Sequence, residues 1–300
     1  MKLKKICALI CATVLINSTA FSAENPEKNS TSELTADEID YDMDTEQVTA
    51  SGKVFMKHEE ESQGAKQDEP SELNADTVDY DMKSGTVTAT GNVLLKHGAD
   101  RATGERAMYN TNTQEAYLNG NVIVVHGDLK VTCNSLQNNG AGHMQADGNV
   151  HGVQTVPPNE KYPNGDTRTF DGEHVDYYPD DKGHFVIAQG GVLTSKVEGK
   201  FSADFIEGWV DEEYYTGVGN AHLLNPPKEI EAGGDRVDYY AKENGKAVLT
   251  GNAWAIQKNN TLRGNRLTVY LADNQTEIKT DTAPKNTLPH ENLSKSHLKN

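Results

Sequence analysis

The amino-acid sequence predicts an all-β protein, an elongated open antiparallel stack built of hairpin repeats of about 28–32 residues. Three observations predict it. One short motif recurs seven times along the chain. The segments carrying it alternate apolar and polar residues with a period of two, as half-buried strands do. The apolar content is 35%, with 7% aromatics; that is lean for one thick globular core and suits a stack in which each unit packs only on its neighbours. No amphipathic helix is discernible beyond the first residues.

The chain opens with an export signature. Lys2, Lys4 and Lys5 precede an apolar run from Ile6 to Ile16, too short to cross a bilayer, which takes roughly 20 residues. Small residues follow, so residues 1–23 read as a signal peptide cleaved between Ala20 and Glu24. Residues 24–32 read as a polar linker. Loss of the signal takes the formal charge from −17 to −20. A chain this acidic repels nucleic acid and anionic lipid surfaces. Cys7 and Cys11 leave with the signal, and Cys133 remains alone, so no internal disulfide framework is expected.

The repeat then begins. Residues 33–58, ELTADEIDYDMDTEQVTASGKVFMKH, align without a gap with residues 72–97, ELNADTVDYDMKSGTVTATGNVLLKH. The Gly-Asn-Val core recurs at Gly91, Gly120 and Gly148, with variants at Gly52, Gly190, Gly219 and Gly251. Successive glycines are 39, 29, 28, 42, 29 and 32 residues apart. The two long spacings hold insertions, a polar one from Glu59 to Pro70 and a Pro-rich one from Val156 to Asp166, both read as surface loops.

Each unit reads as two strands. The first carries an Asp-Tyr strip such as Asp79-Tyr80 or Asp238-Tyr239; a Gly-containing turn follows. The second alternates: Val87, Ala89, Gly91, Val93 and Leu95 fall on one face, and Thr86, Thr88, Thr90, Asn92 and Lys96 on the other. Seven such units make about fourteen strands, and Leu262 to Ile278 adds one or two more. A glycine at the middle of the apolar face means either a kink or bulge that lets the sheet fold over, or a groove with room for a guest.

Nothing in the sequence resembles an active site, and neither metal nor cofactor is expected. His58, His97 and His126 recur six residues after the glycine, but equivalent positions two strands apart lie roughly 9–10 Å from one another, beyond joint reach of one ion. The Asp-Tyr pairs recur with the repeat, whereas catalytic acids occur once as a poised pair. No nucleophile elbow, phosphate loop or His-Glu-x-x-His is present.

The strip Leu73-Asn74-Ala75-Asp76-Thr77-Val78-Asp79-Tyr80, followed by Gly85 to Val93, resembles the OstA-like (organic solvent tolerance) family of LptA-type periplasmic lipopolysaccharide-transport proteins. The resemblance is best over residues 33–126 and faint after 190. It implies an open β-jellyroll; the chain is about twice the length of a minimal bridge, so two parts are expected, residues 33–155 and 167–280, split at the Pro-rich loop 156–166, and residues 281–300 read as a disordered polar tail. It also implies a periplasmic, non-enzymatic role: shielding the acyl chains of lipopolysaccharide or a related glycolipid between inner and outer membrane. The lining expected for such a trough is Val48, Val54, Met56, Val87, Ala89, Val93, Leu95, Val122 and Val124. Unpaired sheet edges template pairing with another chain. Leu34, Ile39 and Tyr41 at one end and Leu267, Val269 and Leu271 at the other are therefore expected to join copies of the chain, or other OstA-like components, end to end. The rival reading is a β-solenoid, either a carbohydrate-active protein or a surface adhesin.

Overall fold

The computed structural model describes residues 30–60, 70–243, 245–258, 260–272 and 275–280. The expected signal peptide, most of the 59–70 insertion and the expected polar tail lie outside the described residues. Seventeen strands are described. The first nine are β1 (Ser30–Thr35), β2 (Glu38–Asp42), β3 (Gln47–Glu60), β4 (Ser71–Asp81), β5 (Thr86–His97), β6 (Asp100–Asn110), β7 (Glu115–His126), β8 (Leu129–Asn139) and β9 (Met144–Val156). The remainder are β10 (Asp166–Tyr178), β11 (His184–Ser195), β12 (Gly199–Trp209), β13 (Tyr214–Asn225), β14 (Ile230–Tyr240), β15 (Lys246–Gln257), β16 (Asn260–Ala272) and β17 (Gln275–Thr280). β1 starts inside the stretch read as linker. Two compact units form, one of residues up to 152 with 176–180, the other of 153–175 with 181 onward.

In the N-terminal unit β3 pairs antiparallel with both β1 and β2 on one side and with β4 on the other, and antiparallel pairing continues hairpin by hairpin to β8. In the C-terminal unit the same pattern runs from β11 to β17. Antiparallel pairing of consecutive strands removes the solenoid alternative, whose successive coils pair in parallel. The turns follow local chemistry. At β2 and β4 the last residue, Asp42 or Asp81, accepts the amides two and three positions on, at 2.8–3.1 Å. Those amide bonds hold both carboxyls below the usual carboxylate range.

The recurrent Gly-Asn is a bulge. Register slips at that point in β3, β5, β7, β13 and β15. Gly91 and Asn92 both adopt left-handed backbone, φ 79° and 48°, a conformation that Gly takes freely and Asn at low cost. Gly91 therefore does not share the apolar face with Ala89 and Val93 as strict alternation requires. Two consecutive left-handed residues lift it out of the ladder and keep the inward phase of the strand on both sides. On the neighbouring strand an acid fills the opposite irregularity. Asn92 donates its side-chain amide to Asp76 at 2.9 and 3.2 Å. Asn121 donates likewise to Glu105 at 2.8 Å, Asn220 to Asp204 at 2.8 Å, and Asn252 to Asp235 at 3.1 Å. The conspicuous Asp and Asn of the repeat thus bolt adjacent bulges together on the outer face.

These bulges explain how one sheet makes a core. In the N-terminal unit, Val78, Ala89, Ala107 and Leu118 on one side of the bulge line, and Val54, Val93, Leu95, Ala102, Val122 and Val124 on the other, are all at most 5% exposed. A single sheet has only itself to bury that face against, so each strand turns over at its bulge and its two halves face each other. The C-terminal unit buries Ile187, Ile206, Val237, Leu249, Leu267 and Val269 in one cluster in the same way.

Candidate functional site

The apolar interior is the candidate site, and its walls follow from register. In the N-terminal unit, one row runs Val78, Ala89, Ala107, Leu118, Leu136 across β4 to β8, and another runs Leu95, Ala102, Val124, Val131 across β5 to β8. Small and medium side chains dominate both. Of the residues expected to line a trough, Val54, Ala89, Val93, Leu95, Val122 and Val124 are buried within this interior. Val48, Met56 and Val87 are half-buried. Of the residues expected outside, Thr90 and Asn92 are exposed, Thr88 is half-buried, and Lys96 reaches Glu72 at 3.3 Å. Cys133 pairs in register with Val122 and is buried. Burial, with a smaller push from Asp147, raises its thiol to about 12, so it stays protonated and unreactive at neutral pH.

The Asp-Tyr strip splits between the two faces. Tyr80 and Tyr177 are buried, and Tyr239 packs against the core of the C-terminal unit. Their Asp neighbours point the other way. Asp79 accepts Thr49 Oγ1 at 2.9 Å, Asp176 lies 2.7 Å from His143 Nε2, and Asp238 accepts Arg236 and the Tyr214 hydroxyl at 2.7 and 2.8 Å. Burial raises the Tyr80 and Tyr109 hydroxyls, and takes those of Tyr215 and Tyr239 to about 12. Two of the three recurrent histidines have polar partners on the neighbouring strand: His97 Nδ1 lies 3.2 Å from Ser71 Oγ and His126 Nδ1 lies 2.6 Å from Asp100 Oδ2. Among the described residues no three His, Cys, Asp or Glu side chains are grouped to hold a metal.

The two expected edges differ. At the N-terminal end, Leu34 sits on β1 and is half-buried, while Ile39 and Tyr41 on β2 are 48% and 51% exposed. Their counterparts one repeat on, Val78 and Tyr80, are buried. The other expectation needs correction. Leu267, Val269 and Leu271 lie on β16, which is not terminal: β17 pairs with it, setting Val269 opposite Ile278. Leu267 and Val269 are consequently core residues. The chain doubles back after Ala272 and adds one more strand than an edge at Leu267–Ala272 allows.

Sequence reasoning missed one cluster, in which Tyr162, Asp166, Arg168 and Glu198 hydrogen-bond to one another and to Ser195 and Lys161. The residues come from the 157–165 loop and the start of β10 on one side and from the end of β11 and the turn after it on the other, about 30 positions apart, so no local pattern marks them. The one available signal was Tyr162 standing among prolines and glycine in an otherwise polar insertion.

Comparison with known proteins follows the fold. A search of curated proteins finds no match. Among solved structures, the chain is similar to LptH from Pseudomonas aeruginosa, described as the LptA homologous periplasmic component of the conserved lipopolysaccharide transport device. The match has 17% identity and a TM-score of 0.34, over 40% of this chain and 82% of that one; at that level the likeness carries no functional argument. The family model described as LptA/(LptD N-terminal domain) LPS transport protein matches residues 72–275, well over half of the chain. That span holds six of the seven Gly motifs and the four Asn-to-acid bolts. The chain belongs to the LptA/LptD N-terminal domain family of LPS transport proteins.

Proposed function

We propose that this protein is a periplasmic component of lipopolysaccharide transport that shields acyl chains inside its folded-over sheets while the sugar head stays in water. The observation that carries this reading is the apolar interior of the N-terminal unit, continued from hairpin to hairpin by rows such as Val78, Ala89, Ala107 and Leu118, in a chain of this family. An exposed acyl chain costs about 0.8 kcal/mol per CH₂, so a continuous apolar path lowers the barrier to crossing water without covalent chemistry. Six of the nine expected lining residues are almost wholly buried, so entry requires the two halves of each strand to part at the bulge line; acyl carbon then replaces protein carbon. Protein recovered under mild conditions from a lipopolysaccharide-producing cell should carry glycolipid by mass spectrometry. Lipid-free protein from such cells, with purified lipopolysaccharide failing to bind it afterwards, would contradict the reading.

The exposed β2 edge supports an end-to-end partner, a second copy or another family member. A preceding hairpin would cover Ile39 and Tyr41 as Val78 and Tyr80 are covered one repeat later. Sedimentation should show mass rising with concentration, and Ile39→Lys with Tyr41→Glu should suppress it, because charges on an edge strand block pairing. Identical mass distributions for the two proteins would remove the β2 edge as the joining surface.

A further inference from the structure

The chain as a whole is acidic, with 45 Asp and Glu against 28 Lys and Arg, so an anionic head group is held only where the local charge is reversed. Register identifies one such place. On the outer face of the N-terminal unit, beyond the bulge line, a cross-strand row runs Glu33, Lys57, Glu72, Lys96, Arg101, Val125 and Lys130, from β1 through β3 to β8. Its first four members alternate in sign across the strands, and Lys96 Nζ lies 3.3 Å from Glu72. From there on the row holds cations and a valine. Arg101 stands directly opposite Lys96, and Lys130 directly opposite Val125. Both are exposed, and among the described residues no carboxylate lies within ion-pair distance of either. Like charges facing each other on an antiparallel ladder destabilise it; an anion between Lys96 and Arg101 turns that repulsion into attraction. The next row toward the bulge is uncharged: Phe55, Asn74, Leu94, Thr103, Ile123 and Thr132. On the turn side, Asp100 is taken by His126 at 2.6 Å. Asp128 is exposed in the β7–β8 turn, two residues from Lys130, so the reversed charge centres on Lys96 and Arg101.

That pair stands at the end of its strands. β5 ends at His97 and β6 begins at Asp100; Gly98 and Ala99 between them are exposed, so their side chains add nothing larger than a methyl group to the turn. Leu95 and Ala102, the inward neighbours of Lys96 and Arg101, are 5% and 3% exposed. Interior and outer face are thus one residue apart here. An amphiphile with its chains among Leu95 and Ala102 sets its head against Lys96 and Arg101 by rounding the turn. The C-terminal unit lacks this charge. Its equivalent row runs Thr194, Lys200, Leu224, Glu231, Ile256 and Thr261, with one cation and one acid, and Glu231 lies 2.9 Å from His222. The rows correspond because Lys96 and Ile256 each stand five residues after the Gly of their repeat.

We propose that Lys96 and Arg101, with Lys130 two strands beyond Lys96's neighbour, bind phosphate groups on the sugar head of the lipid whose acyl chains the N-terminal unit shields. The guanidinium offers a planar fork to two phosphate oxygens, and the ammonium a point charge beside it. Lys130 lies roughly 9–10 Å from Arg101, placed for a second anionic group on the same head. This assignment rests on the lipid-shielding reading above.

The test uses the full chain with a leucine-sized diazirine amino acid at Val93. The probes are purified lipopolysaccharide and the same lipopolysaccharide stripped of phosphate with hydrofluoric acid. Lys96→Gln with Arg101→Gln should raise the concentration of intact lipopolysaccharide that half-saturates the Val93 adduct about tenfold, as loss of two exposed charge contacts to phosphate implies. The value for the stripped lipid should not move. Lys53→Gln with Arg106→Gln removes two other exposed cations and should change neither value. Lys96→Arg with Arg101→Lys keeps both charges and should bind as the parent does. Should the double Gln variant not fold, Arg101→Gln alone, at an exposed side chain without an ion pair, should give about a threefold rise. A folded Gln variant that binds intact lipopolysaccharide as the parent does would overturn the site while leaving lipid shielding intact. An equal loss with the stripped lipid, or with the control pair, would overturn it too. No Val93 adduct in any protein would overturn lipid shielding, and this site with it. Vesicles of phosphatidylglycerol that capture the parent protein but not the Gln variant would assign the row to a membrane surface and refute the head-group site.

Discussion

Val93→Asp should cost about 3–5 kcal/mol, the penalty of an uncompensated buried charge, in a fold whose whole stability is expected near 5–15 kcal/mol. Val93 is 1% exposed, and its inward neighbours are apolar. Across the ladder it faces Gly104, so no hydrogen-bonding side chain meets the carboxylate there. Part of the loss is the apolar burial of Val itself, about 1.5–3 kcal/mol. Thr90→Asp, three residues earlier and on the exposed face opposite Arg106, should change stability by less than about 0.5 kcal/mol. Urea unfolding midpoints measure both. Equal midpoints for the two variants would place Val93 outside the interior.

Gly91→Val should cost about 2–4 kcal/mol, combining left-handed backbone for a β-branched residue with a steric clash. The new Cβ would stand 2.2 Å from Oδ2 of Asp76 and 2.8 Å from its Cγ. Asp76→Ala removes those two atoms, and with them the bond from Asn92. The double variant should therefore cost less than the two single changes added together. Additivity within about 0.5 kcal/mol would mean that Asp76 and Gly91 do not share the bulge. The expectation extends to Gly120, where an added Cβ would meet Glu105 at 2.6 Å. Gly190 is a contrast, with open space where its Cβ would be; there only the backbone conformation resists substitution.

Much of the fold was legible because each hairpin repeats the same solution. Period-two alternation alone places Val54, Ala89, Val93, Leu95, Val122 and Val124 on the inner face, and the structure buries all six. Strict alternation fails at Gly91, because the bulge spends two residues in left-handed backbone and the ladder skips them. The reason for the Asp was also readable in principle. Asp76 and Asn92, Glu105 and Asn121, and Asp204 and Asn220 are each 16 residues apart, and Asp235 and Asn252 are 17 apart, a nearly constant offset that a shared bulge demands and that solvation of an outer face does not. The C-terminal edge misled for a different reason. Leu267, Val269 and Leu271 alternate like any terminal strand, and only the pairing of β17 shows that another strand lies beyond them. The cluster around Tyr162 was illegible, because its partners meet only once the start of β10 lies beside the end of β11.

The central claim is that the inner face, and not merely the fold, carries lipid. It is tested most directly in living cells by a leucine-sized diazirine amino acid placed at Val93 or Val122, against the same residue at Asn92 or Asn121. Each pair is adjacent in sequence, with one member buried in the interior and one exposed at the bulge. Illumination should attach glycolipid to the protein from Val93 and Val122 and leave Asn92 and Asn121 unmodified. Equal labelling from both members of a pair, or labelling from the asparagines alone, would contradict the account.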